Sequence, residues 1–158
     1  AARAAASEVT SIDLSAGVQG WARDNFRLSG LDPDSPAFRF PVSDVGAFLE
    51  QAAHDGRRFE LVLLDPPAYS AARGAAFALD RDYPSLIARA CRLLSAGGLL
   101  WLACNARTSS LADLARQGFA SARRRAALLE SGGLPADHPT VLAQPEDRYL
   151  RVALFRVE

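Results

Sequence analysis

The sequence contains no lysine and no methionine, and only two of its 158 residues are cysteines, Cys91 and Cys104. Two thiols cannot build the disulfide framework of a small secreted domain, so we expect a reduced, cytoplasmic protein. Residues 1–7 have no apolar segment of the kind found in secretory signals. No apolar run approaches the roughly 20 residues that span a bilayer, which predicts a protein without a membrane partner.

An excess of charge of either sign is also missing. Eighteen arginines balance 18 acidic residues, so the formal net charge is zero. This balance excludes a strongly basic nucleic-acid clamp but leaves room for local basic patches. The hydrophobic fraction of 49% is enough for one core and predicts a single domain over residues 1–158. The two histidines and two cysteines lack paired ligand spacing, so no metal site is predicted.

The hydrophobic pattern alternates between strand-like and helix-like segments. It predicts strands at 8–14, 38–42, 59–64, 99–104 and 149–157, and helices at 16–28, 45–53, 83–94 and 111–128. This order is typical of a Rossmann-like, doubly wound α/β fold with a mostly parallel sheet. The apolar run 59–64 predicts a strand buried on both faces, followed by a loop to about residue 79. Residues 127–130 and 149–157 predict an antiparallel hairpin at the C-terminal edge.

Polar residues stand where the predicted strands end. Asp13, Asp44 and Asp65 follow three of them, and the pair Cys104–Asn105 follows a fourth. Ligands of open α/β sheets bind outside the carboxyl ends of the strands. An aspartate there can accept hydrogen bonds from ribose hydroxyls, whether the ligand is a nicotinamide dinucleotide or S-adenosylmethionine. Asp44 alone is equally well explained as a helix N-cap.

The third strand end continues as Asp65-Pro66-Pro67-Ala68-Tyr69. Two prolines fix two successive φ angles and remove two backbone donors, and each restricts the residue before it to extended conformations. We therefore expect a rigid turn whose carbonyls and side chains face the ligand cleft. The Tyr69 ring is placed to stack on a flat substrate such as a base.

Three segments resemble the class I S-adenosylmethionine-dependent methyltransferases: residues 14–31, the run FELVLLDPPAY at 59–69, and LSAGGL at 94–99. The tail, with ADHP at 136–139, PE at 145–146 and YLR at 149–151, resembles the PUA-fused ribosomal RNA methyltransferases that modify cytosine at C5. The resemblance covers nearly the whole chain. It implies S-adenosylmethionine as cofactor and ribosomal RNA as substrate.

The resemblance also implies roles for individual residues. The cofactor would be held by residues at the first three strand ends: Asp13, Leu14, Ser43, Asp44, Asp65 and Pro66. The substrate would be held by Pro67, Tyr69 and His138. The catalytic set would comprise Cys104, Asp65 and Asn105, with methyl transfer in the cleft between Asp13 and Asp65.

Two departures from the family pattern leave alternatives open. No G-x-G turn precedes Asp13, so the glycine-loop strand is expected to be missing at the N-terminus. A sheet without that central strand exposes unpaired edges, which predicts poor solubility or a homodimer through this edge. Without the cofactor loop, the chain could also be a degenerate, non-catalytic domain. A dinucleotide-dependent oxidoreductase would use Asp13 as well, but it leaves the Asp-Pro-Pro-Ala-Tyr segment unexplained.

The second departure concerns the thiol. Methylation of cytosine C5 needs a thiolate that attacks C6. The family's nucleophile is the seventh residue after the Gly-Gly pair, whereas Cys104 is the sixth residue after Gly98 and Asn105 the seventh. A slip of one residue on a strand turns the side chain to the other face, so packing is the alternative role for Cys104. An asparagine at this position resembles the guanine-N7 methyltransferases, which keeps guanine N7 or another substrate as the alternative.

Overall fold

The computed structural model describes residues 2–4, 6–72, 75–105, 110–133 and 150–158, apart from the side chains of residues 70–72, 75 and 76. The chain divides into two compact units, Ala1–Gln51 and Ala52–Glu158. A short 3-10 turn, Ala2–Ala4, precedes the first strand. None of the helices within the described ranges is both long and apolar enough to cross a membrane.

The first unit is a strand–helix–strand arrangement. Strand β1 (Val9–Thr10), helix α1 (Ala16–Leu28) and strand β2 (Phe38–Arg39) follow in order, and the two strands pair in parallel. A further parallel bridge joins Asp13 to Val42 beyond the strand ends. Helix α2 (Val45–His54) then begins in this unit. The predicted helix and strand order is confirmed, although the regular parts of both strands are shorter than predicted.

Helix α1 has the predicted bounds because both of its ends are encoded locally. The Ser15 hydroxyl accepts a hydrogen bond from the Val18 amide at 3.3 Å, as an N-cap does. Beyond the last turn, Gly30 adopts a φ of 74°, which glycine tolerates without strain. The Phe26 ring packs edge-on against the rings of Phe38 and Phe40, with centroids 4.9 and 5.0 Å apart.

The apolar period of α1 does not mark its buried face. Val18, Trp21 and Leu28 are 41%, 71% and 86% exposed, whereas the polar Gln19 is only 3% exposed. The amide of Gln19 is buried because it hydrogen-bonds to strand carbonyls, as described below.

The second unit contains a four-stranded sheet in the order β3-β6-β8-β7. Its strands are Phe59–Leu64, Leu94–Cys104, Arg151–Val157 and Ala126–Gly132, for β3, β6, β8 and β7 respectively. Strand β3 is parallel to β6, whereas β8 is antiparallel to both β6 and β7. The predicted antiparallel C-terminal hairpin is confirmed. The edge position belongs to β7, and the C-terminal strand β8 lies inside the sheet.

Two helices cover one face of this sheet. Helix α3 (Leu79–Leu93) and helix α4 (Leu111–Ala122) cross closely, because Gly118 lies against Ile87 and leaves no space for a side chain. Phe119 of α4 packs edge-on against Phe155 of β8 at 5.0 Å. The strand register places Leu64 on the same face as Phe155, so this covered face holds the apolar core.

The opposite face of β3 differs from its prediction. Leu61 and Leu63 are 40% and 58% exposed, so β3 is not buried on both faces. Successive side chains of a strand alternate, and only the face with Leu64 is covered by α3 and α4. The apolar run 59–64 therefore predicted the strand correctly but its burial on both faces incorrectly.

Two further predicted segments are corrected by the structure. The predicted loop up to residue 79 contains a hairpin of β4 (Tyr69–Ala72) and β5 (Ala75–Ala78). The helix predicted over 111–128 ends at Ala122, where Arg123 adopts a left-handed φ of 53°. The chain then becomes β7, because residues 126–132 pair with the distant strand β8. Residues 127 and 128 belonged both to the predicted helix and to the predicted hairpin, and the structure assigns them to the hairpin.

Candidate active site

The first strand end is organised around Asp13. Its carboxylate oxygen Oδ1 accepts a hydrogen bond from the Ser15 amide at 2.7 Å, just before the N-terminus of α1. Its carbonyl oxygen accepts one from the Ser43 amide at 3.0 Å. The predicted cofactor residues Asp13 and Ser43 are thus neighbours at the end of the parallel pair. Leu14, also predicted to contact the cofactor, is 52% exposed beside them.

Asp44 has a structural role at the next strand end. Its Oδ1 accepts a hydrogen bond from the Ala47 amide at 2.9 Å, which caps the N-terminus of α2. The Ser43 hydroxyl donates to the Asp44 carbonyl oxygen at 3.1 Å. The capping interpretation of Asp44 is therefore confirmed, and the carboxylate remains exposed at the surface of this strand end.

In the second unit, the segment after β3 presents exposed groups. Asp65 and Pro67 are exposed, Pro66 is half-buried and the Tyr69 ring is 64% exposed. The segment is fixed at its far end by the Ala68 carbonyl, which accepts a hydrogen bond from the Leu79 amide at 3.1 Å. The Asp-Pro-Pro turn is therefore anchored at β3 on one side and at the start of α3 on the other.

The two candidates at the end of β6 have different environments. Cys104 shares the helix-covered face with Leu100 and Leu102, and its side chain has no exposed surface. Asn105 is half-buried, and its Oδ1 atom is buried without a hydrogen-bond partner among the described residues. The Cys104 thiol thus lies in the apolar core, whereas the Oδ1 atom of Asn105 remains available as a hydrogen-bond acceptor.

Tyr83 of α3 lies between these strand ends, and the sequence pattern gave no reason to select it. Its fully buried hydroxyl lies 2.9 Å from the Leu64 carbonyl oxygen and 2.8 Å from that of Ala103. The residues that follow these carbonyls are Asp65 and Cys104. Burial raises the pKa of the Tyr83 phenol, and the nearby Cys104 and Asp65 groups raise it further, so the hydroxyl stays protonated and donates.

Gln19 of α1 was also missed, and it has the corresponding position in the first unit. Its Nε2 donates to the Ser11 carbonyl at 2.8 Å and to the Pro41 carbonyl at 2.9 Å. A local signal for this contact existed, because Pro41 has no amide hydrogen to donate to the neighbouring strand. The Ser11 carbonyl therefore needs a donor other than the backbone of Pro41.

An ion pair stabilises the start of α3 below the hairpin. Arg81 donates to the Asp82 carboxylate at 2.8 Å, and the Ala78 amide donates to the same group at 2.8 Å. The Arg81 hydrogen bond, followed by that of Ala78, lowers the pKa of Asp82 to about 2. The pair is at the surface, so we assign it a local capping role.

The described residues therefore form two sets. The first unit brings Asp13, Leu14, Ser43 and Asp44 together, and the second brings the Asp65–Tyr69 segment near Asn105 and Tyr83. The predicted substrate residue His138 lies outside the described residues. Within the described ranges, no three metal-ligating side chains form a cluster.

The fold is shared with solved methyltransferases. A methyltransferase crystallised with S-adenosylhomocysteine superposes with a TM-score of 0.84 over 98% of this chain and 40% of its own, at 23% sequence identity. One from Agrobacterium tumefaciens superposes with a TM-score of 0.71 over 94% of this chain and 49% of its own, also at 23% identity. The chain has the class I methyltransferase fold.

The sequence comparison confirms the resemblance to ribosomal RNA large subunit methyltransferases. The chain is 35% identical over 122 residues to methyltransferase K of Neisseria meningitidis, a match that covers 76% of this chain and 34% of the relative. It is 33% identical over 162 residues to methyltransferase I of Shewanella denitrificans, with 99% and 40% covered. The chain thus spans only 34% to 40% of these relatives' lengths. No family model matches the chain.

Proposed function

We propose that this class I domain transfers a methyl group from S-adenosylmethionine to a base of large-subunit ribosomal RNA. The observation that carries the proposal is the sequence similarity to relatives named as large-subunit ribosomal RNA methyltransferases. The related structure with bound S-adenosylhomocysteine supports the cofactor. A ribosomal RNA substrate also supports a cytoplasmic location. The oxidoreductase alternative has no support among these relatives.

The strand ends of the first unit fit the nucleoside part of this cofactor. Asp13 is half-buried at the end of a parallel pair, where a carboxylate can accept hydrogen bonds from ribose hydroxyls. The exposed side chain of Leu14 offers an apolar surface for a purine ring. We assign Ser43 and Asp44 to the adenine amine side, because both follow the neighbouring strand.

The segment after β3 fits a flat, amine-bearing substrate. Pro66 and Pro67 remove two donors, so the carbonyl oxygens around them can accept hydrogen bonds from a base. The exposed Tyr69 ring can stack on that base. When bound, the cofactor supplies a methyl group already activated by its positive sulfur. The chain's own contribution is then to orient the base and to exclude water.

Calorimetric titration of S-adenosylmethionine into the wild-type chain and into Asp13→Ala tests the cofactor assignment. We expect binding by the wild type and a loss of about tenfold or more in affinity for the variant, because ribose hydroxyls lose a charged acceptor. Asp34→Ala, at an exposed ion pair with Arg23, is the matched control and should bind like the wild type. The titration is repeated with any residues that the natural coding sequence adds on either side. If S-adenosylmethionine binds neither the given chain nor the extended one, the degenerate, non-catalytic domain is favoured.

The atom that receives the methyl group depends on Cys104. A C5 mechanism needs a thiolate that reaches cytosine C6, and Cys104 is the cysteine at a strand end. Its complete burial on the helix-covered face favours the second candidate, transfer to guanine N7 or another base nitrogen. That chemistry uses no protein thiol, and the unpartnered Oδ1 of Asn105 can accept a hydrogen bond from a base amine.

Nucleoside mass analysis of RNA treated with wild type, Cys104→Ala and Asn105→Ala separates the two candidates. Under the C5 mechanism, Cys104→Ala forms no 5-methylcytidine. Under the nitrogen mechanism, Cys104→Ala retains activity within about threefold, whereas Asn105→Ala loses about tenfold or more because the base is no longer oriented. Cys91→Ala, a buried thiol in the middle of α3, controls for the general loss of a cysteine.

The homodimer predicted from the sequence stays a prediction. The exposed Leu61 and Leu63 on the end strand β3 support it, because such an edge can pair with a second copy. Sedimentation velocity over a range of concentrations tests it. A single monomeric species at the highest concentration would remove this proposal.

A further inference from the structure

Among the described residues, each unit has a buried polar side chain that extends from a helix to the carboxyl ends of two neighbouring strands. In the first unit this is Gln19, 3% exposed, and in the second it is Tyr83, 0% exposed. Both donate to main-chain carbonyls rather than to other side chains. We call these two side chains the strand-end clamps.

The Gln19 clamp supplies a hydrogen bond that is missing from the parallel ladder between β1 and β2. The amides of Val9 and Ser11 donate to strand β2 at 2.8 and 2.9 Å, and the ladder resumes where the Ser43 amide donates to Asp13. By the alternation of a parallel ladder, the Ser11 carbonyl should receive its hydrogen bond from residue 41. Pro41 has no amide hydrogen, and Gln19 Nε2 donates there instead, with its second hydrogen on the Pro41 carbonyl.

The Tyr83 clamp lies where a second ladder ends. The last paired residues of β3 and β6 are Leu64 and Leu102, and beyond them the strands no longer share backbone pairs. The Leu64 and Ala103 carbonyls lie at this divergence and share the single hydroxyl hydrogen of Tyr83. The next residues along the two strands are Asp65 and Cys104, followed by Pro66 and Asn105.

We propose that Gln19 and Tyr83 are positioning residues, Gln19 for the cofactor-binding strand ends of the first unit and Tyr83 for the methyl-transfer strand ends of the second. The inference rests on the proposed function. Neither side chain is assigned a contact with cofactor or base. Each acts by fixing the backbone from which the binding side chains Asp13, Ser43, Asp65 and Asn105 extend.

Two near-isosteric variants test the clamps, and each serves as a control for the other. Gln19→Met keeps the side-chain length but removes the amide, and Tyr83→Phe removes only the hydroxyl. We expect Gln19→Met to raise the Kd for S-adenosylmethionine about tenfold and to leave kcat at saturation within about twofold. We expect Tyr83→Phe to lower kcat about tenfold or more and to leave that Kd within about twofold.

A stability control separates positioning from general weakening. Val157→Ala truncates a fully buried residue at the opposite end of the same sheet, since β8 pairs its first residue, Arg151, with Cys104. This variant should lower the melting temperature without changing Kd or kcat by more than about twofold. If Tyr83→Phe and Val157→Ala have the same kinetic effect at equal loss of stability, the positioning role of Tyr83 is refuted.

A readout independent of catalysis distinguishes the two possible failures. If the wild type neither binds S-adenosylmethionine nor transfers a methyl group, the proposed function fails. Amide hydrogen exchange then tests the strand-end clamps independently of activity. Gln19→Met should accelerate exchange at the amides of Ser15 and Ser43, and Tyr83→Phe at those of Asp65 and Asn105. Unchanged exchange at these amides would overturn the clamps whatever the activity.

Discussion

The two units use the same strand–helix–strand arrangement but stabilise it differently. The second unit contains 22 of the 23 buried apolar residues within the described ranges, and Leu49 alone comes from the first. The first unit instead relies on half-buried phenylalanine rings and on the buried amide of Gln19. The comparison teaches that the same arrangement can be stabilised by an extensive apolar core or by a few half-buried rings and one buried amide.

The largest effect that sharpens this comparison is expected at Gly118. A Cβ atom there would lie 2.5 Å from Ile87 Cγ2 and 2.6 Å from Ile87 Cβ, and Ile87 is fully buried. Gly118→Ala should lower the free energy of unfolding by about 3 kcal/mol, at the upper end of overpacking effects. Urea denaturation measures the change.

Gly20 of α1 is the matched control for Gly118. It also lies inside a helix, but among the described residues no neighbouring side chain comes within 4 Å of the place that a Cβ atom would take. Gly20→Ala should raise the free energy of unfolding by about 0.5–1 kcal/mol, because alanine loses less entropy in a helix. Equal effects of the two substitutions would show that α3 and α4 are not packed as tightly as described.

A smaller loss of stability is expected at alkaline pH, where the buried Cys91 thiol of the second unit ionises. Burial raises the pKa of the Cys91 thiol to about 11 from its ordinary 9.0, although Arg124 opposes this shift. The protonated thiol is therefore favoured by the fold, and its contribution is complete below pH 9 and lost as the pH rises through about 11. The loss should be about 2 kcal/mol.

Urea denaturation at about pH 8, 9, 10 and 11 measures this dependence. Cys91→Ala should flatten the curve between pH 9 and 11 but not abolish it, because burial also raises the pKa of Tyr83 in the same direction. A wild-type curve that is flat over this range would contradict the burial of both groups.

The smallest effect is expected on the outer side of α1. Trp21 is 71% exposed, so Trp21→Gln should change the free energy of unfolding by no more than about 0.5 kcal/mol. Thermal denaturation of the two proteins gives the difference. A loss of about 2 kcal/mol or more would mean that the tryptophan is covered in solution, and the contrast between the units would then be smaller than described.

The sequence predicted best where a signal and its structural effect are close together. Helix α1 has the predicted bounds, with Gly30 beyond its end, and the two prolines after Asp65 follow the end of β3 at the predicted residue. The helix predicted over 111–128 was too long because its last residues, 126–128, pair with residues 155–157 of β8. The Arg124 side chain, which the pattern placed on a helix, donates to the carbonyls of Glu158 and Cys91 at 2.6 and 3.1 Å.

The candidate site divides in the same way. Asp13, Asp44, Asp65 and Asn105 could be selected because they lie at or just beyond the ends of predicted strands, and the carboxyl ends of parallel strands are where such folds bind ligands. Gln19 and Tyr83 were not selected, because their partners are backbone carbonyls 8 to 22 residues away. Pro41 signals that a backbone donor is missing, but it does not indicate which side chain replaces that donor. Such contacts need a donor side chain, but the tertiary fold decides which donor reaches which carbonyl.

The sequence by itself determined most of the order of strands and helices and the turn at Asp65-Pro66-Pro67, because prolines and apolar periods act over a few residues. Its motifs also determined the resemblance to methyltransferases. The tertiary structure alone decided which face of each element is covered, that Cys104 is buried, and that Gln19 and Tyr83 join neighbouring strand ends. Burial and hydrogen bonds to distant carbonyls depend on elements far apart in the chain, so a local sequence pattern does not predict them.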